Sequence, residues 1–367
     1  MSVASAVADL LPREQASWGT RTHVARGVSR ALALTLHNEA YFRLLFPGGS
    51  LRSTPSEAAE LRQRMTALYE VDWQNVQDGL YPAALAHDFS WWRLLTSWPR
   101  LISDAPAVRR RAFANDYEDL PPGTEGFPNY YRRNFHYQSE GYFGLKSAAL
   151  YEQQVEVLFR GTANAMRRQM LPPLVRRLPD RHWTEVRILD LACGTGPLLR
   201  MLAATFPRAW LFGCDLSPHY VTHARRVLSD IVRLSLIVAN GEALPFRDGY
   251  FDAITCAYLF HEVPPAVRDT VLQEAARVLK EDGILVLADS IQPTDAPALA
   301  RHLEHFPEQF HEPFYRHYLK DDIHRRLETA GFEVVEAAPQ FVTKITVARK
   351  RQSSSGRGTT FDSPTRH

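Results

Sequence analysis

Between residues 184 and 350 the chain repeats one pattern, an apolar run, a turn and a helix-like stretch, and few folds accommodate it. VRILDLAC from Val186, AWLFGCD from Ala209, SLIVAN from Ser235, FDAITCAYLF from Phe251 and GILVLADSI from Gly283 are largely apolar on both faces. Strands of that kind belong inside a parallel sheet covered by helices on either side. The segments between them carry helix punctuation. LSPHYVTHARRVL offers Ser217 as N-cap and Pro218 at the first helical position. PAVRDTVLQEAARVLKEDG is expected to run to Gly283, with Arg277 and Lys280 in its closing turns. FEVVEAA and FVTKITVARK alternate as strands near an edge do and close the series as a hairpin-like pair. The expected fold class is α/β, with a doubly wound, mostly parallel sheet.

Before residue 180 the chain reads differently. Tyr151, Val155, Leu158, Phe159, Thr162, Met166 and Met170 fall at steps of three and four, a helix that Pro172 and Pro173 are expected to end. Residues 113–150 crowd proline, glycine and aromatic residues into a loop-rich piece with more rings than a spacer needs. RQSSSGRGTTFDSPTRH has almost nothing to bury. The expected organisation is a mainly helical N-terminal domain at 1–180, an α/β domain at 181–350 and a disordered tail at 351–367.

The most informative segment is ILDLACGTGPLL, Ile188 to Leu199. A buried strand runs into a tight glycine turn and then a helix, so the backbone amides at Gly194 and Gly196 can approach a ligand at the carboxyl edge of the sheet. A nicotinamide-dinucleotide fingerprint would need a small residue where Leu199 stands. Asp190 to Gly196 resembles motif I, D/E-x-G-x-G-x-G, of class I S-adenosylmethionine-dependent methyltransferases. Ala192 replaces the first glycine, as in the subgroup resembling ubiquinone and menaquinone methyltransferases. The resemblance covers about residues 180–350. It implies a Rossmann-like sheet of seven strands, the last antiparallel, and S-adenosylmethionine as cofactor. Asp190, Ala192, Gly194 and Gly196 would then form the cofactor turn. Asp215, which ends the second strand 25 residues after Asp190, would take the ribose hydroxyls with Leu216 beside it. ANGEALPF resembles the family's D-A-E-x-L-P-F segment and brings Asn240, Gly241 and Glu242 to the adenine.

Catalytic candidates follow the fourth strand. His261, in Tyr258-Leu259-Phe260-His261-Glu262-Val263-Pro264, stands where an imidazole of pKa about 6 to 7 can remove a proton from an acceptor hydroxyl. A structural histidine explains the position as well. His311 is the second candidate, in an insert with Glu312, Tyr315, Arg316 and Tyr318 that reads as an acceptor-pocket wall. His311, Glu312 and His317 have no recognised ligand spacing, so no metal is expected. In NYYRRNFHYQSEGY, Tyr130, Tyr131, His136, Tyr137 and Tyr142 are candidates for a lid, with Tyr142 reaching the methionine end of the cofactor. Ordinary packing between the two halves explains those rings equally well. The N-terminal half is expected to cap the acceptor site.

Composition narrows the partners. Lys and Arg total 43 against 41 Asp and Glu, a net +2, which gives no large field for nucleic acid. The fourth strand runs into CAYLFHEVP, without the N/D-P-P-Y/F segment of nucleic-acid methylation. No apolar run reaches the roughly 18 to 20 residues of a membrane span. Pro12, Arg13 and Glu14 interrupt the opening residues before a signal-peptide core forms, so the expected compartment is the cytoplasm. Cys193, Cys214 and Cys256 match neither a disulfide framework nor a CxxC site and are expected to be reduced and buried. The expected activity is methyl transfer to a small, apolar or aromatic metabolite, with O-methylation favoured. C-methylation of a quinone-like acceptor and a non-catalytic cofactor-binding scaffold or partner subunit remain alternatives, and the sequence leaves the oligomeric state open.

Overall fold

The five apolar runs form five parallel strands: β1 Arg187–Leu191, β2 Trp210–Asp215, β3 Leu234–Val238, β4 Phe251–Ala257 and β5 Leu279–Ser290. These come from a computed structural model that describes residues 17–45, 53–87, 91–114, 116–178 and 184–352. With β6 Phe332–Gln340 and β7 Thr343–Lys350 they make one seven-stranded sheet, ordered β3-β2-β1-β4-β5-β7-β6. β7 runs antiparallel to both neighbours, as the resemblance implies. The chain moves outward from β1 to β3 and returns to β4 on the other side of β1. At that reversal the carboxyl ends of β1 and β4 diverge into a crevice where α/β sheets bind ligands.

Six helices longer than four residues precede the sheet among the described residues: α1 Trp18–Leu45, α2 Pro55–Gln77, α3 Trp91–Ala114, α4 Leu145–Leu158, α5 Ala163–Arg168 and α6 Leu171–Arg177. Five more cross between strands: α7 Pro197–Thr205, α8 Pro218–Val227, α9 Pro265–Val278, α10 Ala300–Phe310 and α11 Ile323–Thr329. Successive residues of β1 feed opposite faces. Ile188 joins Leu199, Leu202 and Val286 on one side, with Met170, Leu171 and Leu174 from the helical half; Leu189 joins Ile254, Val271 and Leu285 on the other. The sheet therefore has two cores, and α6 completes one of them.

The elements depart from expectation at three places. Pro172 and Pro173 open α6 instead of ending a helix, because the first turn has no hydrogen bond for proline to remove. The break lies earlier, where Arg160 and Gly161 take left-handed φ values of 53° and 78°. α9 stops at Val278, short of Gly283: Leu279 already pairs with Phe251, and a register irregularity follows before Ala253. β7 is internal, and β6 forms the edge. Residues 353–367, most of the expected tail, lie outside the described residues. Ser217 caps α8 as expected, accepting from the Tyr220 amide at 3.2 Å. All three cysteines are free and buried. Among the described residues no helix is long and apolar enough to cross a membrane.

Candidate active site

A cleft of about 850 Å³, counting its open mouth, lies over the carboxyl ends of β1, β2 and β4. Leu191, Ala192, Gly194, Asp215, Leu216, Asn240 and Gly241 line its sheet side. Tyr130, Tyr131, Phe135, Tyr142 and Tyr151 of the N-terminal half line the facing side. The turn after β1 coils tightly, with φ of 57° at Ala192, 54° at Gly194 and 87° at Gly196. A Cβ on Gly194 would meet nothing within 4 Å, so that turn lies open to the cleft. A Cβ on Gly196 would come within 2.5 Å of Leu228 Cδ1, so glycine there lets the turn pack on the end of α8.

Asp215 Oδ2 accepts from the Gly194 amide at 2.9 Å and Oδ1 from the Ser217 amide at 2.8 Å, fixing the turn to the tip of β2. Burial pushes its carboxyl up to about 6 against the pull of those two bonds. Asp190 lies beneath the turn and outside the cleft wall. It accepts from Thr255 Oγ1 at 2.7 Å, and burial pushes it up to about 7. Asn240 Oδ1 accepts from the Glu242 amide at 3.0 Å, an Asx turn that occupies the carbonyl expected to meet adenine. Glu242 stands behind the wall and accepts from Tyr130 Oη at 2.5 Å.

On the side away from β3 the cleft is bounded by Glu262, whose Oε1 accepts from Tyr142 Oη at 2.7 Å. His261 is buried outside the wall, with Nδ1 2.6 Å from Asp289 Oδ1. Burial opposes its charge, but Asp289 pushes the ring up to about 9, above the 6 to 7 expected for a free base. His311 also lies outside the wall. It ends α10 in a left-handed conformation and stacks on Tyr117 at 4.3 Å, and burial lowers it to about 4. From that insert it is Glu312 that turns inward, 3.3 Å from His136 Nδ1, with its carboxyl raised by burial. Tyr137 is packed with Ala105 and Val108 rather than in the cleft.

Sequence reasoning missed Phe135, Tyr151 and Tyr220 of the cleft, and Asp289. Tyr220 carried a signal, since the third residue of a helix capped at Ser217 points back over the β2 tip. Asp289 carried none beyond its place at the end of an apolar strand.

Residues 188–283 match the methyltransferase-domain family. A malonyl-[acyl-carrier protein] O-methyltransferase of Geobacter sulfurreducens is 32% identical over 153 residues, covering 41% of this chain and 57% of that protein. A ubiquinone/menaquinone biosynthesis C-methyltransferase of Syntrophotalea carbinolica is 39% identical over 115 residues, 31% of this chain and 47% of that protein. The chain thus spans about half the length of these two relatives. An uncharacterised methyltransferase of Synechocystis is 30% identical over 152 residues, 41% of this chain and 68% of that protein. Motif, strand order and these relatives agree, and the chain belongs to the class I S-adenosylmethionine-dependent methyltransferases.

Proposed function

We propose that this chain binds S-adenosylmethionine in the cleft and transfers its methyl group to a small, apolar or aromatic acceptor, O-methylation being the favoured chemistry. The supporting observation is one cleft that joins the Asp215 carboxylate and the open Gly194 turn to the rings of Tyr131, Phe135 and Tyr142. A sugar diol finds a carboxylate there, and a sulfonium finds ring faces. Asp215 and Leu216 take the ribose. Asn240, Gly241 and Glu242 shape the adenine end, and Tyr142 faces the methionine end. Ala192, Gly194 and Gly196 form the turn, which Asp190 braces from below through Thr255.

The bound cofactor supplies an electrophilic methyl group on sulfur. The chain's residues orient the partners and exclude water. Tyr130 holds Glu242 and Tyr142 holds Glu262, so the half at 1–180 closes as a cap over the cofactor domain at 181–350. Asp289 fixes the His261 ring through Nδ1, so an acceptor would be met through Nε2. His311 acts through packing on Tyr117.

The C-methyltransferase name of the Syntrophotalea relative favours a second reading, C-methylation of a quinone-like acceptor. Incubation with methyl-labelled S-adenosylmethionine and metabolite extracts tests both. The product carries one added methyl group, and its NMR spectrum places that group on oxygen or carbon. Retained cofactor binding with no labelled product from any extract would leave a non-catalytic scaffold and overturn methyl transfer.

A further inference from the structure

Beside the cleft, three side chains from distant stretches converge. His136 comes from the 3-10 turn Phe135–Tyr137, Glu262 from the 3-10 turn Phe260–Glu262, and Glu312 from the residues just after α10. One donor atom of each lies within 4.8 Å of the other two. His136 Nδ1 is 3.3 Å from Glu312 Oε1 and Nε2 is 3.7 Å from Glu262 Oε1, so one imidazole stands between two carboxylates. The Glu312 side chain has 0% exposure, and neither of its oxygens accepts a hydrogen bond. A carboxylate withdrawn from water is strongly disfavoured unless hydrogen bonds, a full ion pair or a metal takes the place of solvent. His136 between the two carboxylates, with His261 paired to Asp289, leaves both Glu312 oxygens without a hydrogen bond.

The geometry points to a binding site for a first-row divalent cation, of the Mn²⁺ or Zn²⁺ class, formed by His136, Glu262 and Glu312 at the seam between the two halves. A dication balances both carboxylates. Imidazole with carboxylate donors suits these cations better than Mg²⁺, which prefers oxygen alone. Ligand bonds of about 2.0–2.2 Å require the three donor atoms, which lie within 4.8 Å of one another, to draw closer on binding. Three protein ligands leave coordination positions open, and one of the ligands, Glu262, borders the cleft. Only Glu312 of the set belongs to the His311–His317 stretch, whose spacing matches no recognised ligand pattern. The other two donors lie far away in sequence, where no local spacing reveals them. The site stands on these side chains and does not depend on methyl transfer.

The test uses the full chain, stripped with chelator and titrated calorimetrically with MnCl₂ and, separately, ZnSO₄, with melting curves alongside. Wild type is expected to bind one cation per chain and to melt higher with it. Glu312→Gln and His136→Ala should each lose more affinity than the roughly 10- to 100-fold that removal of an outer partner causes. Without added metal, Glu312→Gln should melt at or above wild type, because it removes a buried charge; this also shows that the variant folds. No saturable binding of either cation to folded wild type would overturn the site. So would equal affinity in wild type and Glu312→Gln, or a cation-induced rise in melting temperature that is the same in both.

Discussion

The Tyr142 hydroxyl donates to Glu262 Oε1 at 2.7 Å, joining points 120 residues apart in the chain. Tyr142 also stacks between Phe135, at 5.2 Å, and Tyr131, at 5.8 Å, and its carbonyl accepts from Ser217 Oγ. One residue thus ties the aromatic roof to the tip of β2 through its backbone and to the turn after β4 through its side chain. A roof packed this way transmits a disturbance of one ring to its neighbours.

Tyr142→Phe removes one hydrogen bond to a carboxylate and leaves the stacking. We expect a loss of about 1.5 to 3 kcal/mol of stability, the scale of hydrogen bonds to charged groups, and weaker S-adenosylmethionine binding. Tyr142→Ala should weaken binding further and also raise the acceptor KM. Tyr137→Ala should lower the melting temperature and leave both constants near wild type, since Tyr137 packs on Ala105 and Val108. Calorimetry and initial-rate kinetics on the three variants check this. A Tyr142→Ala protein with wild-type constants would take the roof out of the site.

Asp215→Ala should weaken S-adenosylmethionine binding by roughly 1.5 to 3 kcal/mol through loss of charge-assisted bonds to the ribose. The Gly194 and Ser217 amides also lose their acceptor, so the variant's melting temperature must be read beside its dissociation constant. An unchanged constant in the folded variant would remove Asp215 from the ribose site.

The same carboxyl sets a pH dependence. Burial pushes Asp215 up to about 6, and the ionised form is the one that accepts both hydroxyls. Cofactor affinity is expected to be level above about pH 7 and to fall about tenfold per pH unit well below 6. The stability of the free protein should move the other way. A carboxyl whose folded pKa lies above its unfolded value of about 3.9 binds its proton more tightly when folded, so its contribution rises as the pH falls through 6. Asp190, pushed up to about 7, titrates in the same range, so Asp215→Asn is the necessary comparison. Its affinity should be weaker and flatter between about pH 5 and 7. Identical pH profiles for wild type and Asp215→Asn would exclude the carboxylate.

The sheet and its cofactor turn were legible because their signals are local. The glycine turn, the Ser217 cap and the two-sided apolar strands each sit within a dozen residues. Helix ends were less so: Pro172–Pro173 reads as a terminator or an initiator depending on where the preceding helix stopped, and that was decided by left-handed Arg160 and Gly161, of which only the glycine carries a residue preference. The acceptor side was largely hidden. His136, Glu262 and Glu312 become neighbours only through tertiary packing, and Asp289 acquires its importance from His261, 28 residues earlier. The local reading put His311 in the wall, whereas the left-handed turn at that residue sends its ring to Tyr117 and Glu312 inward.

The helical half has its own polar keystone, and its removal should show whether the cap is needed for folding. Arg168 donates from Nε to Asp72 Oδ1 at 2.8 Å and from Nη2 to Oδ2 at 2.7 Å. Tyr81 Oη donates to Oδ1 at 2.6 Å, and His23 Nε2 lies 3.1 Å from Oδ2. Asp72 and Arg168 are both fully buried, and the cluster links α2 to α5 and to the residues following α2. Burial alone would raise the Asp72 carboxyl, but Arg168 beside it holds it well below the usual carboxylate range. Its contribution to stability is therefore complete above the unfolded pKa of about 3.9 and is lost as the pH falls further. Asp72→Ala leaves a buried guanidinium unpaired and should destabilise the protein by about 3 to 5 kcal/mol. Replacing both partners, as Asp72→Leu with Arg168→Met, should cost much less, because no charge is then stranded. Chemical denaturation of the single and double variants measures the difference. If the double variant is as unstable as Asp72→Ala, the hydrogen-bonded network itself, and not its stranded charge, is what the helical half requires.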